Sequence, residues 1–231
     1  MMNLKEAAAQ SAVTFIKDKT TVGLGCGSTI KYMVDLLVPE VKSGLNIQLV
    51  TSSFSTHQLL LQSGLAAQPI SNFSSIDICF DGCDQFDKDL NAVKSGGGIH
   101  TREKLLASMA REFLLVGDDT KYAEQLDSKF PLVIEVLPEA YCYTSQCLQK
   151  LFPTAKIVIR VSDKNDGPAI TGNGNYLFDV WFTAWPELKQ INAAAKAITG
   201  VVETSLFYNL AHKAIIATSN EIKFFEKPVQ Y

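Results

Sequence analysis

Acidic side chains, a lysine and three consecutive glycines lie close together in one stretch of this 231-residue chain. The stretch begins with Asp81 and Asp84, continues through Lys94 and the run Ser95–Gly98, and ends at Glu103. Carboxylates can take up and return protons, while an ammonium group and free backbone N–H groups can stabilise an oxyanion. The spacing therefore predicts a site for proton-transfer chemistry on a small anion.

Simpler interpretations exist for each of these groups. The three glycines could form a mobile surface loop, although ordering them costs backbone entropy that a close approach to a ligand would justify. Glu103 could serve only as a partner of the helix dipole, a contribution of ~0.3–1 kcal/mol. That dipole lowers the pKa of a carboxylate, so a useful base here requires partial desolvation. Because Glu103 follows the glycines by five residues, we expect it to face the same pocket.

Three aspartates follow the apolar run that ends at Phe80. Carboxylates suit Mg²⁺, but they also act as proton-transfer groups or as acceptors for substrate hydroxyls. We interpret Asp81 and Asp84 as functional groups and Asp87 as part of a solvated acidic turn. His100 is interpreted as structural.

A glycine-rich turn, Gly23–Thr29, lies between a predicted strand and a predicted helix. This arrangement directs helix N-terminal N–H groups at a phosphate, with the hydroxyls of Ser28 and Thr29 beside them. The alternative is a tight turn in which Ser28 caps the helix. The third glycine of a dinucleotide fingerprint is absent, and no lysine precedes Ser28 as in a P-loop. A small phosphorylated ligand is favoured over a nucleotide.

Composition and charge exclude several classes of protein. A formal charge of −3 argues against nucleic acid as the main partner. Five cysteines without a C-x-x-C pair, and only three histidines, favour neither a disulfide scaffold nor a zinc site. The N-terminus has no signal-peptide pattern, and no apolar run approaches the ~18 residues of a membrane span. We therefore expect a cytoplasmic protein without membrane contact.

The first half of the chain alternates apolar strands with helices, which predicts a parallel α/β sheet with ligands beyond the carboxyl ends of its strands. The predicted strands are Thr20–Leu24, Ile47–Val50, Ile76–Phe80 and Phe113–Gly117. The predicted helices are Asn3–Asp18, Thr56–Leu61 and Arg102–Glu112, the last capped by Thr101.

The second half follows the order β-α-β-β-α-β, which is the ferredoxin-like motif. Its predicted elements are Leu132–Val136, Glu139–Phe152, Lys156–Val161, Tyr176–Phe182, Pro186–Ile198 and Val201–Phe207. Two last apolar segments, Ala214–Ala217 and Ile222–Phe225, are expected to return to the first sheet. The predicted domains are therefore a discontinuous α/β domain, residues 1–129 and 208–231, and a ferredoxin-like domain, residues 130–207.

A series of short motifs, in order along nearly the whole chain, resembles the ribose-5-phosphate isomerases of the A type. The motifs are Val22–Thr29, Thr51–Ser53, Asp81–Asp84, Lys94–Gly98, Thr101–Lys104, Asp119–Lys121, Phe130–Val136, Thr171–Asn175 and Gly200–Glu203. The resemblance implies a Rossmann-like parallel sheet domain with a smaller ferredoxin-like α+β lid domain. It also implies an aldose–ketose isomerase of the pentose phosphate pathway that uses neither metal nor cofactor, proceeds through an enediol(ate), and forms a homodimer or homotetramer.

The same resemblance implies roles for individual residues. Glu103 would move a proton between C2 and C1, Lys94 and the following amides would stabilise the enediolate, and Asp81 and Asp84 would bind hydroxyls and assist ring opening. Ser28, Thr29 and Lys121 would hold substrate with a share of the phosphate, and Lys5 matches a lysine that some members bring to the phosphate. The full set expected to bind substrate is Lys5, Cys26, Gly27, Ser28, Thr29, Asp81, Gly82, Cys83, Asp84, Lys94, Ser95, Gly96, Gly97 and Lys121.

Five positions depart from the pattern of this family. They are Cys26 for a usual threonine, Gln85 for glutamate, Ser95 for glycine, His100 for an apolar residue and Gly172 for aspartate. Cys26 and Ser95 bear on affinity and substrate preference. Two alternatives stay open: a deaminase or lactonase acting on related sugar phosphates, with His100 as its catalytic histidine, or a sugar-phosphate sensor without turnover.

Overall fold

The computed structural model describes residues 3–227, and within them it contains six α-helices. None of these helices combines the length and the apolar character that crossing a membrane requires. The helices are α1 (Leu4–Val13), α2 (Ser28–Lys42), α3 (Phe54–Gln62), α4 (His100–Met109), α5 (Tyr141–Leu151) and α6 (Leu188–Lys196).

The described residues also form fourteen strands in three sheets. The strands of the first half are β1 (Thr20–Leu24), β2 (Ile47–Thr51), β3 (Ala67–Gln68), β4 (Ile76–Asp81), β5 (Gln85–Phe86), β6 (Ala92–Val93) and β7 (Ala110–Asp118). Those of the second half are β8 (Leu132–Val136), β9 (Lys156–Ile159), β10 (Tyr176–Trp181), β11 (Val201–Thr204), β12 (Leu206–Phe207), β13 (Lys213–Ala217) and β14 (Ile222–Glu226).

The largest sheet has seven strands in the order β14-β13-β7-β4-β1-β2-β3. Every pair is parallel except β13 with β14. The sheet is covered on both faces, as parallel sheets usually are. Within β7, Leu114 and Val116 pack with α1, α2 and α3, while Phe113 and Leu115 pack with α4. The predicted parallel α/β fold is confirmed, and the last two strands return to this sheet as expected.

The second sheet has four antiparallel strands in the order β11-β8-β10-β9. Numbered within this unit, the order is 4-1-3-2 for a chain that runs β-α-β-β-α-β, which is the ferredoxin-like arrangement. Leu148 of α5 and Ile191 of α6 pack against Ile134 and Phe178 of the sheet. The small α+β unit therefore has its own apolar core.

A third sheet, β12-β6-β5, was not predicted. Its strands have two residues each, and strands that short carry no recognisable period in the sequence. The sheet joins the stretch after Asp81 to the end of the small unit, and the amide of Lys94 donates to the carbonyl of Ser205. The third sheet thereby fixes the backbone position of Lys94.

Several predicted boundaries were wrong. Helix α4 ends at Met109 rather than Glu112, because the exposed residues Arg111 and Glu112 begin β7. Thr101 lies inside α4, whose N-cap residue is Ile99, so it does not cap the helix. Helix α1 ends at Val13 rather than Asp18.

Two elements of the small unit also differ from their predicted bounds. Helix α6 begins at Leu188, so Pro186 precedes the helix instead of beginning it. The strand predicted over Val201–Phe207 is divided into β11 and β12 at Ser205, whose amide bonds to Val133. Its two parts therefore belong to different sheets.

Candidate active site

A cavity of about 200 Å³ lies where β1, β4 and β7 end. It is formed at the carboxyl edge of the parallel sheet, where ligands of such folds bind. Its lining contains every predicted binding residue except Asp81 and Ser95, and it adds Glu103, Val116 and Gly117. The lining residues are Lys5, Cys26, Gly27, Ser28, Thr29, Gly82, Cys83, Asp84, Lys94, Gly96, Gly97, Glu103, Val116, Gly117 and Lys121.

The turn between β1 and α2 brings backbone N–H groups to this cavity. A Cβ on Gly25 would lie 1.9 Å from Cγ of Asp81, so only glycine fits there. Gly27 has a φ of 103° and is the N-cap residue of α2. The alternative in which Ser28 caps the helix is therefore wrong. Ser28 is the first helical residue and lines the cavity with Thr29.

Lys94 lies between two buried carboxylates. Its Nζ is 2.9 Å from Oδ2 of Asp81 and 3.3 Å from Oε1 of Glu103, and it also donates to the carbonyl of Gly82. Oδ1 of Asp81 accepts from the amides of Cys26 and Gly82. Buried charges are tolerated when they are paired and hydrogen-bonded in this way.

Burial changes the proton affinities of this cluster. Desolvation raises the pKa of Glu103 to about 7, although Lys94 opposes the change and Asp81 adds to it. Burial alone would lower the pKa of Lys94, but the carboxylates of Asp81 and Glu103 outweigh it and raise that pKa above its ordinary value. Glu103 therefore titrates near neutral pH beside a permanent ammonium group. Glu103 lies in the first turn of α4, and it has the desolvation that a base at a helix N-terminus requires.

Cys26 touches the same carboxylate. Its Sγ donates to Oε1 of Glu103 across 3.3 Å. Burial raises the pKa of the thiol to about 12, and the charges of Asp81 and Glu103 add to the effect. Since the thiolate is the reactive form of cysteine, Cys26 acts here as a hydrogen-bond donor and not as a nucleophile.

Cys26, Asp81 and Glu103 are also the one group of potential metal ligands found among residues 3–227, with ligand atoms within 4.8 Å of one another. The arrangement fits a metal poorly, because the ammonium of Lys94 already lies between the two carboxylates. The positive charge that an oxyanion would meet is that of Lys94.

Asp84 holds the beginning of the glycine run. Its Oδ2 accepts from the amides of Ser95 and Gly96. The hydroxyl of Ser95 donates to the carbonyl of Pro131 at 2.6 Å and is buried away from the cavity. Gly96 and Gly97 line the cavity with Asp84. Of the two departures expected to touch the substrate, Cys26 lines the cavity, whereas Ser95 does not.

Two side chains around the site were not predicted from the sequence. The guanidinium of Arg160 donates to the carbonyls of Ser95 and Gly96, from 64 and 65 residues further along the chain. Glu135 is fully buried and accepts from Thr101 of α4, and also from Thr171, Asn173 and Asn175. No local spacing identifies such partners, although Glu135 and the Thr171–Asn175 loop both lie in motifs of the resemblance.

Asp87 differs from its predicted solvated state. It is 5% exposed, and its carboxylate accepts from both the amide and the side chain of Asn91. Hydrogen bonds from its own turn satisfy the carboxylate oxygens and offset part of the cost of burying them, although burial still raises the pKa of Asp87. Asp87 does not line the active-site cavity.

His100 is structural, as expected. It is 1% exposed, with Nε2 3.4 Å from the carbonyl of Glu203, and Nδ1 has no partner within residues 3–227. Burial lowers its pKa to about 4. Because His100 is outside the cavity lining, it gives no support to a chemistry that needs a catalytic histidine.

The parallel α/β sheet, the ferredoxin-like unit and a neutral-titrating carboxylate beside an ammonium define an enzyme that transfers protons on a small anion. The family model described as ribose 5-phosphate isomerase A (phosphoriboisomerase A) matches residues 48–221. The chain belongs to this family.

Individual relatives agree with this assignment. Ribose-5-phosphate isomerase A of Bacillus mycoides is 37% identical over 96% of this chain and 99% of that protein. Ribose-5-phosphate isomerase of Homo sapiens is 34% identical over 97% of this chain and 73% of that protein. The solved structure of ribose 5-phosphate isomerase A from Methanocaldococcus jannaschii has a TM-score of 0.89 at 32% identity, covering 96% of this chain and 98% of that one.

The comparisons confirm the predicted family, its fold class and its isomerase chemistry. They give no support to a deaminase, a lactonase or a sensor without turnover.

Proposed function

We propose that the chain interconverts D-ribose 5-phosphate and D-ribulose 5-phosphate through an enediol(ate). The observation that carries this proposal is Glu103, which lines the cavity with a pKa raised to about 7 by burial. A general base is most effective when its pKa lies near the working pH. A structure 31% identical, with a TM-score of 0.90 over 98% of this chain and 100% of that one, is of D-ribose-5-phosphate isomerase in complex with phospho-erythronic acid. Such a ligand combines a carboxylate, hydroxyls and a phosphate.

Glu103 moves the proton of the reaction. With the sugar in its open form, the carboxylate takes the proton from C2, and the electron pair of that bond forms the C1–C2 double bond while O1 becomes an oxyanion. Glu103 then returns the proton to C1, and the hydroxyl proton on O2 is transferred to O1. The atoms balance without a metal, an oxidant or a cofactor.

Lys94 and the glycine run stabilise the charge on O1. The ammonium lies 3.3 Å from Oε1 of Glu103, so it is next to the carbon atoms that the base serves. Fixed donors aimed at a developing oxyanion supply much of the catalysis in such sites. We assign this role to Lys94 and to the N–H group of Gly97, since the N–H group of Gly96 already donates to Asp84.

Asp84 and Asp81 have different roles. Asp84 lines the cavity, and its side-chain hydrogen bonds within residues 3–227 all go to Oδ2, so we assign Oδ1 to substrate hydroxyls and to ring opening. Asp81 lies behind the lining, with both oxygens engaged by Cys26, Gly82 and Lys94. It supports hydroxyl proton exchange and ring opening chiefly by holding Lys94 in its charged form.

The phosphate binds at the start of α2. The N-terminus of this helix, with Ser28 and Thr29, meets Lys5 and Lys121 around the same cavity. Helix N-terminal N–H groups and lysine ammonium groups both favour an anion.

This activity places the protein in the non-oxidative branch of the pentose phosphate pathway. We further propose that it works in the cytoplasm as a homodimer or homotetramer, without a cofactor or nucleic acid. Residues 130–207 would form a lid domain beside the α/β domain of residues 1–129 and 208–231. The ferredoxin-like strand order, and an apolar cluster formed mostly by residues 130–207 with Val93 and Leu126, support that division.

The decisive experiment is to incubate EDTA-treated protein with ribose 5-phosphate in D₂O. We expect ribulose 5-phosphate to form and deuterium to enter C2 of the recovered aldose. Glu103→Gln should lose this exchange and the turnover together, while Glu124→Gln, an exposed glutamate paired with Lys88, should keep both. Absence of ketose and of deuterium in the unaltered protein would refute the proposed function.

A further inference from the structure

The glycine run beside the active site is held by one arginine of the ferredoxin-like unit. Nη2 of Arg160 donates to the carbonyl of Ser95 at 2.8 Å, and Nη1 donates to the carbonyl of Gly96 at 3.0 Å. Nε and Nη2 also bind the carboxylate of Asp179, with Nη2 2.6 Å from Oδ1. The planar guanidinium thus spans two carbonyls and a carboxylate, which a lysine ammonium cannot do.

The backbone of Arg160 is also fixed. Its amide donates to the carbonyl of Leu177 in β10, and its carbonyl accepts from Ala169. Its side chain is 20% exposed and that of Asp179 is 15% exposed. The pair is therefore a largely buried connection between the small unit and the glycine run, not a surface salt bridge.

Because Arg160 fixes the directions of two carbonyl groups, it also fixes the directions of the N–H groups in the same peptides. In a trans peptide the C=O and the following N–H point in opposite directions. The carbonyl of Ser95 points to Arg160, and the N–H of Gly96, in the same peptide, meets Oδ2 of Asp84 on the cavity side. The carbonyl of Gly96 also points to Arg160, so the N–H of Gly97 is directed away from it.

The N–H of Gly97 meets no protein acceptor among residues 3–227, and Gly97 lines the cavity. We propose that Arg160, aligned by Asp179, is a positioning residue that aims the Gly97 N–H at the oxyanion of the enediolate. This inference rests on the proposed isomerisation. It extends the catalytic apparatus to a side chain of the ferredoxin-like unit that does not itself line the cavity.

The test compares Arg160→Ala, Asp179→Asn and Arg102→Ala in steady-state kinetics with ribose 5-phosphate. Arg160→Ala should lower kcat on the order of 10²-fold, because a small misplacement of a catalytic group has that effect. KM should change far less, since the phosphate contacts lie on α1, α2 and Lys121. Asp179→Asn should lower kcat by a smaller factor because its amide oxygen still accepts from Nε.

Arg102→Ala is the matched control. Arg102 also joins the small unit to the catalytic region, through Gly172 and Asn173, but it leaves the carbonyls of the glycine run untouched. Millimolar guanidinium should restore part of kcat in Arg160→Ala and none in Arg102→Ala. Thermal unfolding of all three variants would report any loss of folding.

Two results would overturn the inference. One is an unchanged kcat in Arg160→Ala. The other is an equal loss of kcat in both alanine variants without rescue by guanidinium, which would indicate general loosening between the units. If the unaltered protein forms no ribulose 5-phosphate, the proposed function itself fails, whereas an active protein with an unaffected Arg160→Ala refutes only the positioning role.

Discussion

The thiol of Cys26 donates a hydrogen bond to Oε1 of Glu103, the oxygen that also lies 3.3 Å from the ammonium of Lys94. The carboxylate of the proposed base is therefore held by one weak neutral donor and one charged group. Burial still prevails and raises the pKa of Glu103 to about 7. The balance among these three influences determines the pH at which the base is ionised.

The rate should therefore fall on the acid side of neutral pH. Because Glu103 must be ionised to take the proton from C2, kcat/KM should reach half its plateau near pH 7 and decrease tenfold per unit below it. Lys94 stays charged through this range because Asp81 and Glu103 outweigh burial and raise its pKa. A pH profile from 5 to 9 in buffers of constant ionic strength checks this. A half-maximum near pH 4.5, the ordinary value of a glutamate, would contradict the desolvated base.

Variants of Cys26 should shift the acid limb of the pH profile, which is the fall of kcat/KM below neutral pH, in opposite directions. Cys26→Ser supplies a stronger O–H donor to the ionised carboxylate, so the limb should move to lower pH. Cys26→Ala removes the donor, so the limb should move to higher pH. We expect each change to be no more than about one pH unit, equivalent to about 1.4 kcal/mol. Identical limbs in both variants would show that the hydrogen bond does not influence the base.

Loss of Lys94 should raise the barrier of the chemical step. Lys94→Ala removes an oxyanion donor, an effect of about 2.7–4 kcal/mol, or 10²–10³ in kcat. It also leaves Asp81 and Glu103 without the cation between them, so the acid limb should move to higher pH as well. Lys88→Ala, at an exposed lysine paired with Glu124, is the control. It should leave both kcat and the position of the acid limb unchanged. A Lys94 variant that loses affinity but keeps kcat would contradict the assigned role.

The parts of the fold that have a recognisable order of strands and helices in the sequence could be predicted from it. Strands β1 and β8 have the predicted bounds, and the β-α-β-β-α-β order identified the ferredoxin-like unit. Strand β7 begins at Ala110 and continues through the exposed residues Arg111 and Glu112, and these three residues were mistaken for the end of a helix. Strands β5, β6 and β12, of two residues each, depend on pairing between distant segments that no local pattern encodes.

Some residues of the site could likewise be predicted from the sequence, and others could not. Asp81, Asp84, Lys94 and Glu103 lie within 23 residues, so their chemistry was visible in the sequence. Arg160 reaches the glycine run from 64 residues away, and an arginine after a strand is unremarkable until the two units pack. The rotation of Ser95 away from the cavity toward Pro131 is likewise a result of packing.

The buried ring of His100 should contribute a loss of stability in mild acid, whereas Glu103, whose pKa is raised to about 7, should act in the opposite direction over the same range. The pKa of His100 is lowered from 6.5 to about 4 in the folded state because burial disfavours the charged ring. The unfolded chain therefore binds this proton first as pH falls, so the contribution of His100 to the free energy of unfolding decreases between pH 6.5 and pH 4. Between pH 7 and pH 5 the loss from this one group is about 2 kcal/mol.

His100→Leu removes the titrating ring and the buried Nδ1 that has no partner among the described residues. At pH 7 the two proteins should have similar stabilities, since loss of the Nε2 contact with the carbonyl of Glu203 is offset by removal of an unsatisfied buried atom, which costs about 1–3 kcal/mol. Between pH 7 and pH 5 it should lose about 2 kcal/mol less. Urea unfolding at both pH values and at one protein concentration measures the difference, because the other titrating groups are common to both proteins. An equal loss in the two proteins would mean that His100 is protonated in the folded state at pH 5.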